Sequence, residues 1–185
     1  MLALFGVQAG YTSALSAPVS FAVQRGAVVG LAGPNGVGKS TLLKAVLGEC
    51  RLLAGRMDRA SGTRIAYLPQ QPIRLPEAPI SGRELLCLMG ADRLPPPARL
   101  ASNLHRRIDR LSGGEYQLLM LWATLATNAD LILLDEPTNN LDLGHVEIAA
   151  EEILAARPQC ASVVVSHDSG FLARVCDQVI TLERL

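Results

Sequence analysis

Four short stretches of this chain, residues 27–32, 65–68, 131–134 and 162–165, are almost uninterrupted runs of apolar side chains bounded by glycine or polar residues. A run apolar at every position suits a strand covered on both faces, as in a buried parallel sheet. Helical stretches alternate with these runs at 38–47, 113–127, 143–156 and 169–175. The alternation predicts an α/β fold whose sheet is mainly parallel and flanked by helices. Residues 2–7 and 19–23 stand apart and predict an N-terminal antiparallel β layer. Between 71 and 110 the pattern breaks: Pro72, Pro76, Pro79 and Pro95-Pro96-Pro97 surround one short amphipathic helix near 81–89. This predicts an inserted helical arm, counted together with the helix that follows as about 71–128. A final strand is expected at 178–183, and the chain contains no internal repeat or low-complexity segment.

Composition narrows the reading. The 185 residues fit one domain with a real core, taken here as 1–185. Seventeen basic residues balance seventeen acidic ones, so no global charge favours nucleic acid or an acidic membrane. His105-Arg106-Arg107 is a local basic cluster, read as a solvated turn. Only Lys39 and Lys44 are lysines, which makes a lysine inside a glycine-rich loop stand out from its background. Cys50, Cys87, Cys160 and Cys176 have no metal-like spacing and are read as reduced, small core residues. The chain starts without a basic leader and has no apolar run near the ~18 residues that would span a bilayer. A hydrophobic content of 49% is nonetheless high and points to an apolar face covered by a partner.

Gly33-Pro34-Asn35-Gly36-Val37-Gly38-Lys39-Ser40 satisfies G-x-x-x-x-G-K-[ST] between an expected strand and an expected helix. Such a loop turns its backbone N–H groups toward phosphate oxygens, and the helix start adds the positive end of its dipole. Lys39 would reach β- and γ-phosphates, Ser40 would ligate Mg²⁺, and Thr41 is placed for the α-phosphate. The strand at 131–134 runs into Asp135 and Glu136, two carboxylates at a strand's C-terminal edge. One acid can serve a metal and the other a water, so Asp135 is expected on the metal side and Glu136 as general base. Ser112-Gly113-Gly114-Glu115 fits a capping box, and its side-chain-free helix start is also an anion site.

Taken together and in this order, the motifs resemble the ATP-binding cassette (ABC) ATPases over nearly the whole chain. The resemblance implies a P-loop NTPase that binds ATP and Mg²⁺ and hydrolyses ATP. Tyr11 resembles the aromatic residue that stacks on adenine. Gln70 is similar to the glutamine that senses Mg²⁺ and the γ-phosphate, with Gln71 a close rival. Leu111 to Glu115 resembles the family signature, Asn140-Leu141-Asp142 the loop that touches the opposite subunit, and Ser166-His167-Asp168 the segment whose histidine contacts the γ-phosphate. Gly33, Asn35, Gly36, Gly38, Lys39, Ser40 and Thr41 would then hold one side of the nucleotide of a head-to-tail dimer, and Ser112, Gly113, Gly114 and Glu115 the other.

The chain departs from the family where Glu115 replaces a glutamine and where two arginines are missing from the following helix, which runs Gln117-Leu118-Leu119-Met120-Leu121-Trp122-Ala123-Thr124. Those exchanges would enlarge an apolar docking face or weaken contacts between domains. The preferred reading is the ATPase subunit of a membrane transporter, working with a second copy and a permease at the cytoplasmic face, with no direct nucleic-acid contact. Residues 76–88 faintly resemble metal-ion importers. The rivals are a soluble translation-factor-like cassette, suggested by Glu115 and by the strings 136–142 and 166–172, and a nucleotide-dependent binding module with little hydrolysis.

Overall fold

The computed structural model describes residues 1–74, 79–92 and 94–185; the expected arm residues 75–78, Pro76 among them, and Arg93 lie outside that range. In chain order the elements are β1 (Leu2–Gly10), β2 (Val19–Val23), β3 (Val28–Ala32), α1 (Lys39–Leu47), β4 (Arg51–Arg59), β5 (Ile65–Leu68), α2 (Gly82–Leu88), α3 (Ala101–Leu104), α4 (Gly113–Leu125), β6 (Leu131–Asp135), α5 (Leu143–Ala156), β7 (Ala161–Val165), α6 (Ser169–Val175) and β8 (Gln178–Thr181). The expected final strand therefore stops at Thr181.

The uninterrupted apolar runs become β3, β5, β6 and β7, which with β8 form a sheet in the order β5-β6-β7-β3-β8. Every pairing within it is parallel. The β6 residues show why no polar alternation was visible. Leu131 and Leu133 face a core shared with α1 and the N-terminal layer, while Ile132 and Leu134 face a second core under α4, α5 and α6. All five β6 residues are buried, as two-sided covering demands. Because the strands run in one direction, their C-terminal ends gather at one edge, where open α/β sheets place their ligands.

The N-terminal layer has three strands instead of the expected two, ordered β2-β1-β4 and antiparallel. The sequence reading missed β4, since eight of its nine residues are exposed and none is fully buried. Its stability comes from pairing with β1. That contact is close at Gly55, where an added Cβ would lie 2.3 Å from the Gly6 carbonyl oxygen, so no larger residue fits without shifting the backbone.

A third cluster lies within the arm and joins Leu86 of α2 and Leu104 of α3 to Tyr116, Leu119 and Ala123 of α4. The expected apolar docking face on α4 is thereby corrected. Gln117, Leu118, Leu119, Leu121, Ala123 and Thr124 are buried between the arm core and the sheet core, with Met120 and Trp122 half-buried. The apolar exchanges are spent on internal packing. One cysteine reading also changes: Cys160 is buried, but Cys87 is exposed on α2.

Candidate active site

The turn after β3 leads into α1 through Gly38, whose φ of +100° is a conformation that only glycine adopts cheaply. Gly38 caps α1 with no side chain, and the first turn of α1 contains no acidic residue. The helices α2, α4, α5 and α6 are instead capped by Ser81, Ser112, Asp142 and Asp168. The α1 start therefore keeps its N–H groups free of side-chain acceptors, as an anion site requires. Lys39 is 7% exposed, and its Nζ donates to the carbonyls of Gly33 at 2.7 Å and Pro34 at 3.2 Å. Those are neutral acceptors, so phosphate oxygens would be stronger partners for the same ammonium.

At the end of β6, Asp135 is 2% exposed and accepts from Ser40 Oγ at 3.0 Å and from the Tyr67 hydroxyl at 3.3 Å. Burial pushes the Asp135 carboxyl above its usual range, opposed by these two hydrogen bonds. The Tyr67 hydroxyl is driven well above its ordinary value by burial and by the neighbouring carboxylate, which keeps it a donor. Side by side, Ser40 and Asp135 offer two hard oxygens. This set fits Mg²⁺, which takes one or two protein oxygens and completes its shell with phosphate and water. No group of three or more His, Cys, Asp or Glu residues forms a metal cage among the described residues, so the nucleotide would have to complete the shell.

Glu136, the next residue, has φ +50°, a left-handed conformation that costs a non-glycine residue about 1–2 kcal/mol. The backbone is held there by the Glu136 N–H donating to the Val165 carbonyl at 2.9 Å. Its carboxylate, on a residue 7% exposed, accepts from the His167 N–H at 3.3 Å and meets His167 Nδ1 at 2.9 Å. Strain maintained by a surrounding network is typical of functional positions.

One cavity of about 280 Å³ gathers Asn35, Gly36, Gly38, Lys39, Ser40, Thr41, Gln70 and Glu136. Of the two rival glutamines, Gln70 lines it. Leu15 also lines it, a residue the sequence reading did not single out; its Cβ lies 3.0 Å from where a Cβ on Gly38 would stand. The loop carrying Leu15 is anchored by the pairing of Ser16 with Arg184 and by the Ala17 N–H on the Glu183 carbonyl at 2.9 Å. Tyr67 was also missed. Its one sequence signal is a polar-tipped aromatic in an otherwise apolar strand, three residues before Gln70.

Other expected residues do not line this cavity. Tyr11 is 62% exposed, and His167 is held beside Glu136 with its side chain 68% exposed. Ser112, Gly113, Gly114 and Glu115 form the start of α4, where the expected capping box is present. Ser112 Oγ accepts from the Glu115 N–H at 3.1 Å, and among the described residues nothing accepts its hydroxyl proton and nothing lies within 4 Å of an added Gly113 Cβ. Asp142 caps α5 by accepting from the His145 N–H at 2.9 Å and also meets His145 Nδ1 at 2.8 Å.

The family model described as ABC transporter matches residues 17–139. The zinc import ATP-binding protein ZnuC of Marinobacter nauticus is 36% identical over 173 residues, covering 90% of this chain and 67% of the relative. ZnuC of Paracoccus denitrificans is 35% identical over 175 residues, covering 89% and 68%. The chain thus spans about two thirds of the length of these relatives. Among solved structures, an ATP binding subunit of an ABC transporter superposes with a TM-score of 0.81 over 99% of this chain and 86% of the other, a likeness of fold at 24% identity. The glycine loop on an uncapped helix, the paired carboxylates and these similarities lead to one conclusion: the chain belongs to the ABC family and is an ATPase of the transporter ATP-binding type.

Proposed function

We propose that the chain is the nucleotide-binding subunit of an ABC transporter, closing head to tail with a second copy around two ATP molecules and driving a membrane permease from the cytoplasmic face. Among the described residues no helix is long and apolar enough to cross a membrane, and in this reading the membrane is reached through the permease. The relatives' role in zinc import supports a divalent metal ion as the cargo class.

In this reading Lys39 exchanges the Gly33 and Pro34 carbonyls for phosphate oxygens, and the free N–H groups of α1 accept the remaining charge. Thr41 and Gln70 face the same space, and Leu15 and Tyr11 are assigned to the nucleoside end. Bound at Ser40 and Asp135, Mg²⁺ would neutralise charge on the β- and γ-phosphates. Glu136 holds and polarises the attacking water, and His167 fixes the carboxylate through Oε2. Ser112, Gly113, Gly114 and Asp142 act on the nucleotide or loops of the other copy.

The observation that carries this reading is Glu136, strained, buried and bonded to His167 at the wall of the cavity that contains Lys39 and Ser40. Replacing it tests the assignment. Glu136→Gln is expected to bind ATP as the parent does, to accumulate a closed dimer by light scattering, and to lose turnover by about 10²-fold or more. Unchanged turnover would remove Glu136 from the role of base.

A further inference from the structure

Glu115 places a formal negative charge at a helix start that, in the function proposed above, must meet a polyanion. In its own helix the charge is welcome, since an acid in the first turn complements the dipole. Toward ATP it is a liability, and the surrounding side chains show how it is managed. Glu115 Oε2 accepts from the Ser112 N–H at 2.7 Å, and Oε1 accepts from Arg106 Nη1 at 2.5 Å. The other arm of the same guanidinium donates to the Arg110 carbonyl at 2.8 Å. These bonds, the one from Ser112 first, hold the carboxyl below the usual glutamate range, so it stays charged and paired.

A second guanidinium completes the surround. Arg74 donates to the Ile108 carbonyl at 2.7 Å and to the Leu111 carbonyl, and it lies over the Tyr116 ring at 5.3 Å. Tyr116 returns a bond from its hydroxyl to the Ile73 carbonyl at 2.8 Å. The carbonyls of Ile108, Arg110 and Leu111, whose negative ends precede Ser112, are thus all taken up by arginines of the arm. The nearby acid Asp109 is itself paired with Arg107 at 2.8 Å.

We propose that Arg106 is a positioning residue that neutralises and holds the Glu115 carboxylate, so that a signature carrying an acid still accepts the phosphates of an ATP held by a second copy. The inference rests on the trans-acting reading of the signature.

The test is made in the Glu136→Gln background, where ATP-driven dimerisation is read by light scattering and ATP binding to the chain by a fluorescent nucleotide. Arg106→Gln is expected to leave nucleotide binding to the monomer unchanged while raising the ATP concentration for half-dimerisation by about 5- to 10-fold, because Glu115 is left uncompensated. Adding Glu115→Gln to Arg106→Gln should restore dimerisation to within about 2-fold, a rescue that a prop for the arm would not give. Equal weakness of the single and double variants, or an unaffected Arg106→Gln, overturns the proposal while leaving the ATPase reading intact. A chain that binds ATP but never dimerises in the Glu136→Gln background overturns both.

Discussion

Trp122 carries the one buried side-chain polar atom without a partner among the described residues, its indole Nε1. A buried donor left unpaired costs about 1–3 kcal/mol, while the ring itself packs against both the arm core and the sheet core. Trp122→Phe removes the donor and keeps an aromatic ring, so urea unfolding should show stability unchanged or raised by about 1 kcal/mol. A loss of more than about 2 kcal/mol would mean that ring volume dominates over the orphaned N–H. Lys39, Ser40, Asp135 and Glu136 were legible because each stands in a motif whose spacing is fixed by phosphate geometry. Tyr67 and Leu15 were not. Tyr67 meets Asp135 through the register of β5 on β6, with Leu68 opposite Leu134, and Leu15 reaches Gly38 through a loop anchored at the far end of the chain.

At the scale of elements, one carboxylate reinforces the backbone ladder between the edge strand β5 and β6. Asp130 accepts from the Arg64 N–H and Nε at 3.0 Å each and from Nη2 at 3.0 Å. Those bonds lower its pKa to about 2 from an ordinary 3.8. A carboxyl lowered on folding stabilises the native state above its unfolded pKa and loses that contribution as pH falls through the folded one. Asp130→Asn should therefore lower the urea midpoint at pH 7, with the difference from the parent closing between about pH 4 and pH 2. A difference that stays constant over that range would place the loss elsewhere. The parallel strands were readable because burial on both faces leaves an unbroken apolar run. No such run marks β4, whose exposed residues owe their conformation to a partner more than forty positions away in sequence, as in Leu4 opposite Met57. The helix α4 was found, but the docking face expected as one outcome of its apolar exchanges is not formed: without a view of the arm core, a row of apolar residues reads as surface.

For the molecule as a whole, the proposed function divides the chain into two half-sites, the cavity and the start of α4. The cavity is lined by Lys39, Ser40, Gln70 and Glu136, whereas Ser112 and Gly113 at the start of α4 are not among its lining residues. Fold and family were legible in the order of the motifs; in the proposed function the relation between the half-sites belongs to two chains, which one sequence does not display. Mixing a Lys39→Ala chain with a Ser112→Arg chain measures that relation directly. Each alone should be inactive, since every site lacks one half. In a heterodimer one site has both defects and the other has none, so ATP turnover should return toward half that of the parent per dimer. Demonstrated heterodimers with no recovered turnover would contradict the shared site.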